Sequence, residues 1–287
     1  MKIATEIGSF LHVGGYERAV ELVGMAGFDA FDLSLFHMAR YDRSSASMRE
    51  SDDPFHGCDY LKRARELKRV GEACGIVCNQ SHAPFPCHVP GMRDYLRRAL
   101  ECTAEAGGTL CVIHPDGNSE EEMLEMYAEL LPFARGCGVR IAAENIAYWN
   151  KEKGEYMPHF CSEPQGFVKQ LDTIDDPYFV ACLDVAHAEL KGLDTSAVSM
   201  IRALGGKRLQ ALHIHDNNHC RDQHKLPFTG EIDFSAVVGA LKEIGYTGYF
   251  TMEADAFMEN VSPERVKARL CEMAAVARRL ADMFENA

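Results

Sequence analysis

Short runs of apolar and β-branched residues alternate along the chain with longer segments in which apolar residues recur every three or four positions. The short runs predict eight strands, near 2–7, 28–33, 75–80, 109–114, 138–144, 178–184, 208–215 and 248–253. The longer segments predict a helix after each strand, and the last one places Val266, Leu270, Met273, Ala277 and Leu280 on one face. Several predicted helices end at a glycine before the next strand, as a left-handed helix cap requires.

This alternation predicts a closed parallel barrel. Strands that alternate with helices favour a parallel sheet, and eight such units in 287 residues are typical of a (β/α)8 TIM barrel. An open doubly wound sheet would need about two fewer units and commonly has GxGxxG after its first strand, which this sequence lacks. We therefore predict an α/β fold, a single-domain TIM barrel over residues 1–287. The segments 36–57 and 145–163 are long enough to be active-site loops.

Composition and charge narrow the classes of partner. The formal net charge of −13 disfavours non-specific binding to nucleic acid or to acidic membranes through the whole surface. No apolar run approaches the roughly 18 residues of a membrane span, and the first ten residues do not resemble a signal peptide. The eleven cysteines include no CxxC pair, which favours reduced thiols. We expect a cytoplasmic protein with neither a nucleic-acid nor a membrane partner.

Polar residues follow the apolar runs at six consecutive predicted strands, the third to the eighth. Because the chemistry of TIM barrels lies at the carboxyl ends of the strands, these side chains are expected to meet. They are His82, His114, Glu144, Asp184 with His187 just beyond it, His213 with His215 and Asp216, and Glu253.

These strand ends predict a metal site. Glu144, Asp184 and Glu253 would be close like charges, and a buried carboxylate needs a partner or a metal ion because desolvating it costs several kcal/mol, by order of magnitude. Carboxylates mixed with imidazoles suit Mn²⁺, Co²⁺ or Zn²⁺. Each residue alone has a structural interpretation: His114 as a hydrogen-bonded histidine, Glu144, Asp184 and Glu253 as helix caps. Their coincidence at six strands favours the metal site.

Seven motifs show that the chain resembles a known superfamily, the xylose isomerase-like TIM barrels, which contains sugar and sugar-phosphate isomerases and epimerases and also endonuclease IV. The resemblance covers nearly the whole chain. The motifs are SHAPF, VIHPDG, AAEN, LDVAHAELKG, LHIHD, RDQHKLPFTGEIDF and TMEA.

The resemblance implies particular roles for particular residues. In such epimerases one divalent metal (Mn²⁺, Zn²⁺, Co²⁺ or Mg²⁺) is held by four side chains, which match Glu144, Asp184, His213 and Glu253. His215 points to the same side as His213 and is a substrate contact or, with a register shift of two, the ligand itself. His187 matches a residue that contacts substrate oxygens or a second metal, and Arg221 matches an anion- or hydroxyl-binding residue.

The resemblance to endonuclease IV leaves a second function open. Its additional ligands for a three-metal cluster match His82, His114, His187, Asp222 and His224. Against it, the sequence has no basic, aromatic insertion loop of the kind that bends a DNA duplex. The segment after the fifth strand contains Trp149, whose ring suits stacking on a sugar or covering the barrel as an apolar lid.

We therefore expect an enzyme, a metal-dependent isomerase or epimerase of a small sugar or sugar phosphate. Glu144 and Glu253 would be the catalytic acid and base around a metal-stabilised enediolate. The alternative is an endonuclease IV-like phosphodiesterase that acts on abasic-site DNA through several zinc ions. Dimers and tetramers are common among the proteins that the chain resembles, so a homo-oligomer is also expected.

Overall fold

The computed structural model describes residues 1–287 and has the predicted architecture. Eight parallel strands form one sheet in the order β7-β6-β5-β4-β3-β2-β1-β8. The strands are β1 (Lys2–Glu6), β2 (Ala30–Ser34), β3 (Val77–His82), β4 (Leu110–Ile113), β5 (Arg140–Glu144), β6 (Phe179–Asp184), β7 (Leu209–His213) and β8 (Tyr249–Met252). Ile214, just beyond β7, forms a parallel bridge with Met252 of β8 and so closes the barrel.

Helices surround the barrel and follow the predicted segments closely. They are α1 (Gly15–Ala26), α2 (Tyr60–Ala73), α3 (Met92–Glu105), α4 (Glu120–Cys137), α5 (Pro164–Ile174), α6 (Ala197–Arg208), α7 (Phe234–Glu243) and α8 (Pro263–Asn286). Helix α4 shows why the boundaries fall where they do. The Ser119 hydroxyl accepts a hydrogen bond from the Glu122 N–H at the start, and Gly138 ends the helix at φ 70°. No helix combines the length and hydropathy that crossing a bilayer would require.

Two apolar clusters fill the molecule. The larger, of 75 buried residues, lies largely between the strands and the surrounding helices. The smaller lies on the strand face that points into the barrel and consists of Leu110, Val112, Ala142, Val180, Cys182 and Ala211. Because side chains alternate along a strand, the inward set continues to Glu144, Asp184 and His213 at the strand ends. The same face that forms the inner core therefore presents the polar groups at the mouth.

The two long segments each contain a short antiparallel hairpin that the sequence pattern did not predict. In the first, Arg40–Asp42 pairs with Ser47–Arg49. In the second, Ala147–Asn150 pairs with Glu155–Pro158. Strand boundaries also shift slightly: β2 begins at residue 30 rather than 28, and β3 spans 77–82 rather than 75–80.

Asp216 anchors the long loop that follows β7. Its Oδ2 accepts a hydrogen bond from the Gly230 N–H at 2.8 Å, and its Oδ1 accepts from the N–H of Asn217 at 2.9 Å and of Ile232 at 3.2 Å. The buried carboxylate is thus satisfied by backbone donors at both ends of the loop. Asp216 therefore holds the chain between residues 217 and 230 at the mouth of the barrel.

This anchor predicts that Gly230→Ala destabilises the protein. A Cβ at Gly230 would lie 2.3 Å from the Asn217 carbonyl oxygen and 2.4 Å from Asp216 Oδ1, so the loop would have to move. We expect the free energy of unfolding to fall by about 1–3 kcal/mol, a typical cost of overpacking, measured by urea denaturation.

Gly239→Ala is the matched control, because no atom lies within 4 Å of a Cβ at this position in α7. In a helix interior alanine is favoured over glycine by about 1 kcal/mol, so this variant should be at least as stable as the parent. Equal stability of the Gly230→Ala variant and the parent would show that the loop is not held at Asp216.

Candidate metal and active site

Four of the predicted ligands meet at the carboxyl ends of the strands. Glu144, Asp184 and His213 are the last residues of β5, β6 and β7, and Glu253 directly follows β8. One donor atom from each lies within 4.8 Å of the others. Glu144, Asp184 and His213 are at most 1% exposed, and Glu253 is 9% exposed. We call these four residues the first ligand group.

Glu144 lies at the centre of a wider cluster. Its Oε1 is 3.0 Å from His213 Nδ1, and its Oε2 is 3.1 Å from His114 Nε2 and 3.5 Å from His82 Nε2. Burial raises the pKa of the Glu144 carboxyl, but the neighbouring His213 and His114 outweigh it and hold that pKa well below its usual range. Glu144 is therefore a carboxylate that both rings stabilise.

His82, His114 and Glu144 form a further set of donors within 4.8 Å of one another. The two imidazole Nε2 atoms lie 3.0 Å apart. Two lone pairs at this distance need a proton or a cation between them. Glu144 thus belongs both to this set and to the first ligand group.

Glu253 has a different environment from Glu144. Its Oε2 lies 3.4 Å from His213 Nδ1. Burial raises the pKa of the Glu253 carboxyl, and His213 and His224 only partly offset this. Glu144 and Glu253 thus face the same imidazole nitrogen, and their surroundings move their pKa values in opposite directions.

The structure distinguishes His213 from His215. His213 presents Nδ1 to Glu144 and Glu253, and its Nε2 lies 3.2 Å from Asp32 Oδ2. The Gln80 amide also donates to Asp32 Oδ2, at 2.8 Å. If Nδ1 holds a metal ion, the remaining ring proton would lie on Nε2, with Asp32 Oδ2 as its acceptor.

His215 belongs to a second ligand group, which also contains His187, Asp222 and His224. Asp222 Oδ2 lies 3.1 Å from His187 Nε2 and 3.4 Å from His224 Nε2, and the His215 and His224 rings stack at 3.9 Å. His215 Nε2 also lies 2.9 Å from Asp184 Oδ2, which joins the two groups. Asp222 Oδ1 and His215 Nδ1 are buried without a hydrogen-bond partner.

These donors fit divalent cations. The carboxylates of the two ligand groups have imidazoles as their only ion-pair partners, with neither lysine nor arginine beside them. Burial lowers the pKa of His224, yet Asp222 and Glu253 outweigh it and raise that pKa to about 10. Such a rise indicates an excess of negative charge, which a bound cation would relieve.

Trp149 and Arg221 lie together at the rim. The Arg221 guanidinium stacks 4.0 Å from the centre of the Trp149 ring, and neither residue lines the central cavity. Tyr156, on the other strand of the same hairpin, accepts a hydrogen bond from the Asp222 N–H at 3.1 Å through its hydroxyl. The hairpin therefore contacts the loop of the second ligand group rather than the cavity.

A cavity of about 630 Å³ opens above these groups. This volume lies in the range of small-molecule sites, about 300–1,000 Å³. The lining residues are Glu6, Gly8, Ser9, Ser34, Phe36, His37, His82, His114, Glu144, His187, Asp222, Gln223, His224, Glu253, Asp255, Ala256 and Glu259.

Sequence reasoning missed the acidic residues of the first two strands. Glu6 is the last residue of β1 and lines the cavity, and Asp32 lies in β2 and is fully buried. Both residues lie in runs that predicted strands. Taking the polar residue at the carboxyl end of each strand as a site candidate, as was done for strands three to eight, would also have found Glu6. Asp32 is two residues before the end of its strand, and only the three-dimensional contact with His213 reveals it.

Two relatives align with about two thirds of the chain. An uncharacterized protein of Methanocaldococcus jannaschii is 26% identical in an alignment of 215 positions that covers 67% of this chain and 69% of that protein. An uncharacterized protein of Sinorhizobium fredii is 32% identical in an alignment of 208 positions that covers 68% of this chain and 61% of that protein.

Solved structures share the fold over the whole length. A D-tagatose 3-epimerase-like protein superposes with a TM-score of 0.73 at 20% identity, covering 100% of this chain and 99% of that one. A D-psicose 3-epimerase from Clostridium cellulolyticum H10, solved with D-tagatose, superposes with a TM-score of 0.72 at 17% identity, covering 98% of this chain and 99% of that one. The IolI protein, solved with a zinc atom, superposes with a TM-score of 0.69 at 18% identity, covering 100% of this chain and 99% of that one.

The family model for the xylose isomerase-like TIM barrel matches residues 20–274. This range includes every strand from β2 to β8 and all residues of both ligand groups. The chain belongs to the xylose isomerase-like TIM barrel family.

Proposed function

We propose that the protein is a metal-dependent isomerase or epimerase of a ketose. The observation that supports this most directly is that Glu144 and Glu253 face the same nitrogen of His213 at the wall of a cavity of small-molecule size. The structural relatives that are D-psicose 3-epimerases, solved with D-fructose or with D-tagatose, agree with a sugar as substrate.

The first ligand group would hold the metal ion through Glu144, Asp184, His213 and Glu253. When bound, a divalent ion would polarise the substrate carbonyl and stabilise the negative charge that develops on its oxygen. Mn²⁺, Zn²⁺ and Co²⁺ suit this set of three carboxylates and one imidazole. Mg²⁺, which prefers oxygen ligands, fits it less well.

The two glutamates would transfer the proton. One removes the proton from the carbon next to the carbonyl, and the electron pair of that C–H bond becomes the double bond of an enediolate. The other returns a proton to the same carbon on the opposite face, which inverts its configuration. A carboxylate is a weak base, so the rate must come from the fixed positions of the two groups.

Other residues would bind and orient the substrate. His187 lies at the cavity wall, with Nδ1 3.0 Å from the Asn145 carbonyl oxygen and Nε2 beside Asp222. Both ring nitrogens are therefore engaged, so the ring is fixed from both sides and positions the Asp222 carboxylate, which also lines the cavity, toward a substrate hydroxyl group. Arg221 stacks on Trp149 at the rim, so we assign this pair to positioning the loop of Asp222 rather than to binding substrate oxygens.

The proton-transfer scheme predicts that Glu144→Gln and Glu253→Gln each abolish turnover without unfolding the protein. The amide keeps the size of the side chain but cannot take up the proton. Interconversion of the two epimers in a panel of ketoses, followed by chromatography, would measure turnover, and circular dichroism would check the fold. Glu152→Gln, on the exposed tip of the second hairpin, should retain full activity. Near-normal epimerisation in either cavity variant would refute the two-base scheme, whereas deuterium exchange alone can proceed at the glutamate that remains.

The contact between Asp32 and His213 yields a separate prediction about metal affinity. Asp32→Asn removes the charge that supports the proton on His213 Nε2, so metal affinity should fall by about 10- to 100-fold, as for other partners of metal-binding histidines. Competition with a fluorescent chelator would measure it. Asp172→Asn, whose carboxylate pairs with Arg208 on the surface, is the control. An unchanged affinity in Asp32→Asn would exclude this role.

A multi-metal phosphodiesterase is the second candidate, and one observation favours it. Glu144 connects the first ligand group with His82 and His114, and Asp184 connects it with the second group. Three cations could therefore be held in one continuous cluster. Against DNA as substrate, the net charge is −13 and no lysine or arginine lines the cavity.

Metal content and an incision assay separate the two functions. For the isomerase we expect at most two tightly bound ions per chain by plasma emission spectrometry, and no cleavage of an abasic-site duplex. Three zinc ions per chain together with robust incision would support the phosphodiesterase and overturn the proposed function.

A further inference from the structure

Three carboxylates of the cavity wall belong to none of the metal-donor sets. Glu6 ends β1, and Asp255 and Glu259 lie just after β8. None of the three forms an ion pair with a basic side chain. Their carboxyl groups therefore line the cavity without a lysine or arginine to balance them.

The cavity lining also contains neither lysine nor arginine, the side chains that most often bind phosphate. Proteins hold phosphate with lysine, with arginine or with free backbone N–H groups at a helix start. No lysine or arginine lines this cavity, and the guanidinium of Arg221 at the rim is stacked on Trp149. The other polar lining groups include the hydroxyls of Ser9 and Ser34 and the amide of Gln223, which suit hydroxyl groups of a ligand.

Two backbone donors at the wall, those of Gly8 and Ser9, are taken by Glu6. Its Oε1 accepts from the Gly8 N–H at 2.5 Å, and its Oε2 lies 3.4 Å from the Ser9 nitrogen. A Cβ at Gly8 would lie 2.5 Å from Glu6 Oε1 and 2.6 Å from Ser34 Oγ, so only glycine permits this approach. The chain's own carboxylate thus fills the place where an external anion could bind.

The surroundings of Glu6 disfavour negative charge. Burial raises the pKa of the Glu6 carboxyl, and the nearby Asp255 and Asp32 raise it further. A ligand anion placed in the same cavity would meet the same unfavourable field.

Metal ions would not remove this unfavourable field. Two divalent ions would balance the four carboxylates of the two ligand groups. Glu6, Asp255 and Glu259 would remain, and so would their effect on a negatively charged substrate.

We propose that the cavity selects an uncharged polyhydroxylated ketose and discriminates against its phosphorylated counterpart, with Glu6, Asp255 and Glu259 as the residues that determine this specificity. The inference rests on the proposed function and narrows its substrate class.

Matched pairs of sugars test the proposal on the metal-loaded protein at a measured metal content. D-fructose and D-tagatose would be compared with their 6-phosphates for deuterium incorporation and, by calorimetry, for binding. We expect kcat/KM and affinity to be at least tenfold higher for the free sugars. Equal or better turnover or tighter binding of the phosphates would overturn the proposal.

Neutralising the three carboxyl groups of the cavity wall should weaken the discrimination against phosphorylated sugars. In the triple variant Glu6→Gln, Asp255→Asn, Glu259→Gln we expect the preference for the free sugar, measured as the ratio of kcat/KM and of affinity for the free sugar to those for its 6-phosphate, to fall at least threefold. The double variant Asp255→Asn, Glu259→Gln should shift it in the same direction if the change at Glu6 impairs folding. An unchanged ratio in both would exclude a role for the wall.

The control is the triple variant Glu121→Gln, Glu125→Gln, Glu152→Gln, which changes the net charge equally on exposed surface outside the cavity. Its ratio should equal that of the parent. Calorimetry separates the proposed isomerase function from the proposed selection of uncharged sugars. If the protein binds free sugars more tightly than their phosphates but exchanges deuterium into no ketose, the isomerase function is refuted and the selection by charge remains.

Discussion

The contact of Glu144 with two histidines is the interaction on which the mouth of the barrel depends. A buried carboxylate without a partner costs several kcal/mol, by order of magnitude, and Glu144 is 1% exposed. His213 and His114 approach its two oxygens at 3.0 and 3.1 Å. Because one carboxylate serves both rings, a change at any of the three alters the charge balance of the others. The donor sets are therefore one electrostatic unit.

The barrel supplies the positions that this unit needs. Small side chains that point into the barrel, such as those of Ala142, Cys182 and Ala211, pack directly below the ligands. Glu144 and His213 therefore lie on a close-packed layer that excludes water. The loop of the second ligand group is not supported by this layer. It depends instead on the Asp216 carboxylate, which holds backbone N–H groups at both ends of the loop.

The sequence was sufficient to predict the barrel and the positions of most residues of the candidate site, because both follow from local rules. Alternation of strands and helices predicts a parallel barrel, and carboxyl ends of parallel strands must meet, so Glu144, Asp184 and Glu253 were expected together. The two hairpins escaped prediction because strands of three or four residues leave no periodicity to detect. Asp32 escaped because its contact with His213 joins residues 181 positions apart.

His213 and His215 cannot be distinguished as metal ligands by local sequence rules. Residues two apart on a strand point the same way, so periodicity alone cannot choose between them. The choice comes from the surroundings: Glu144 and Glu253 face His213, whereas Asp184 and the His224 ring face His215.

The absence of lysine and arginine from the cavity lining has two consequences that follow from one cause. With no lysine or arginine to balance them, the carboxylates of the ligand groups favour a divalent cation. With no lysine or arginine in the lining, an incoming phosphate would find attraction at the metal and repulsion from the carboxyl groups of the remaining wall. A substrate of this site must therefore bring oxygen atoms to the cation without bringing further negative charge to Glu6 and Asp255. Neutral hydroxyl and carbonyl groups meet both conditions, and this links the chemistry proposed at Glu144 and Glu253 to the kind of molecule that can reach them.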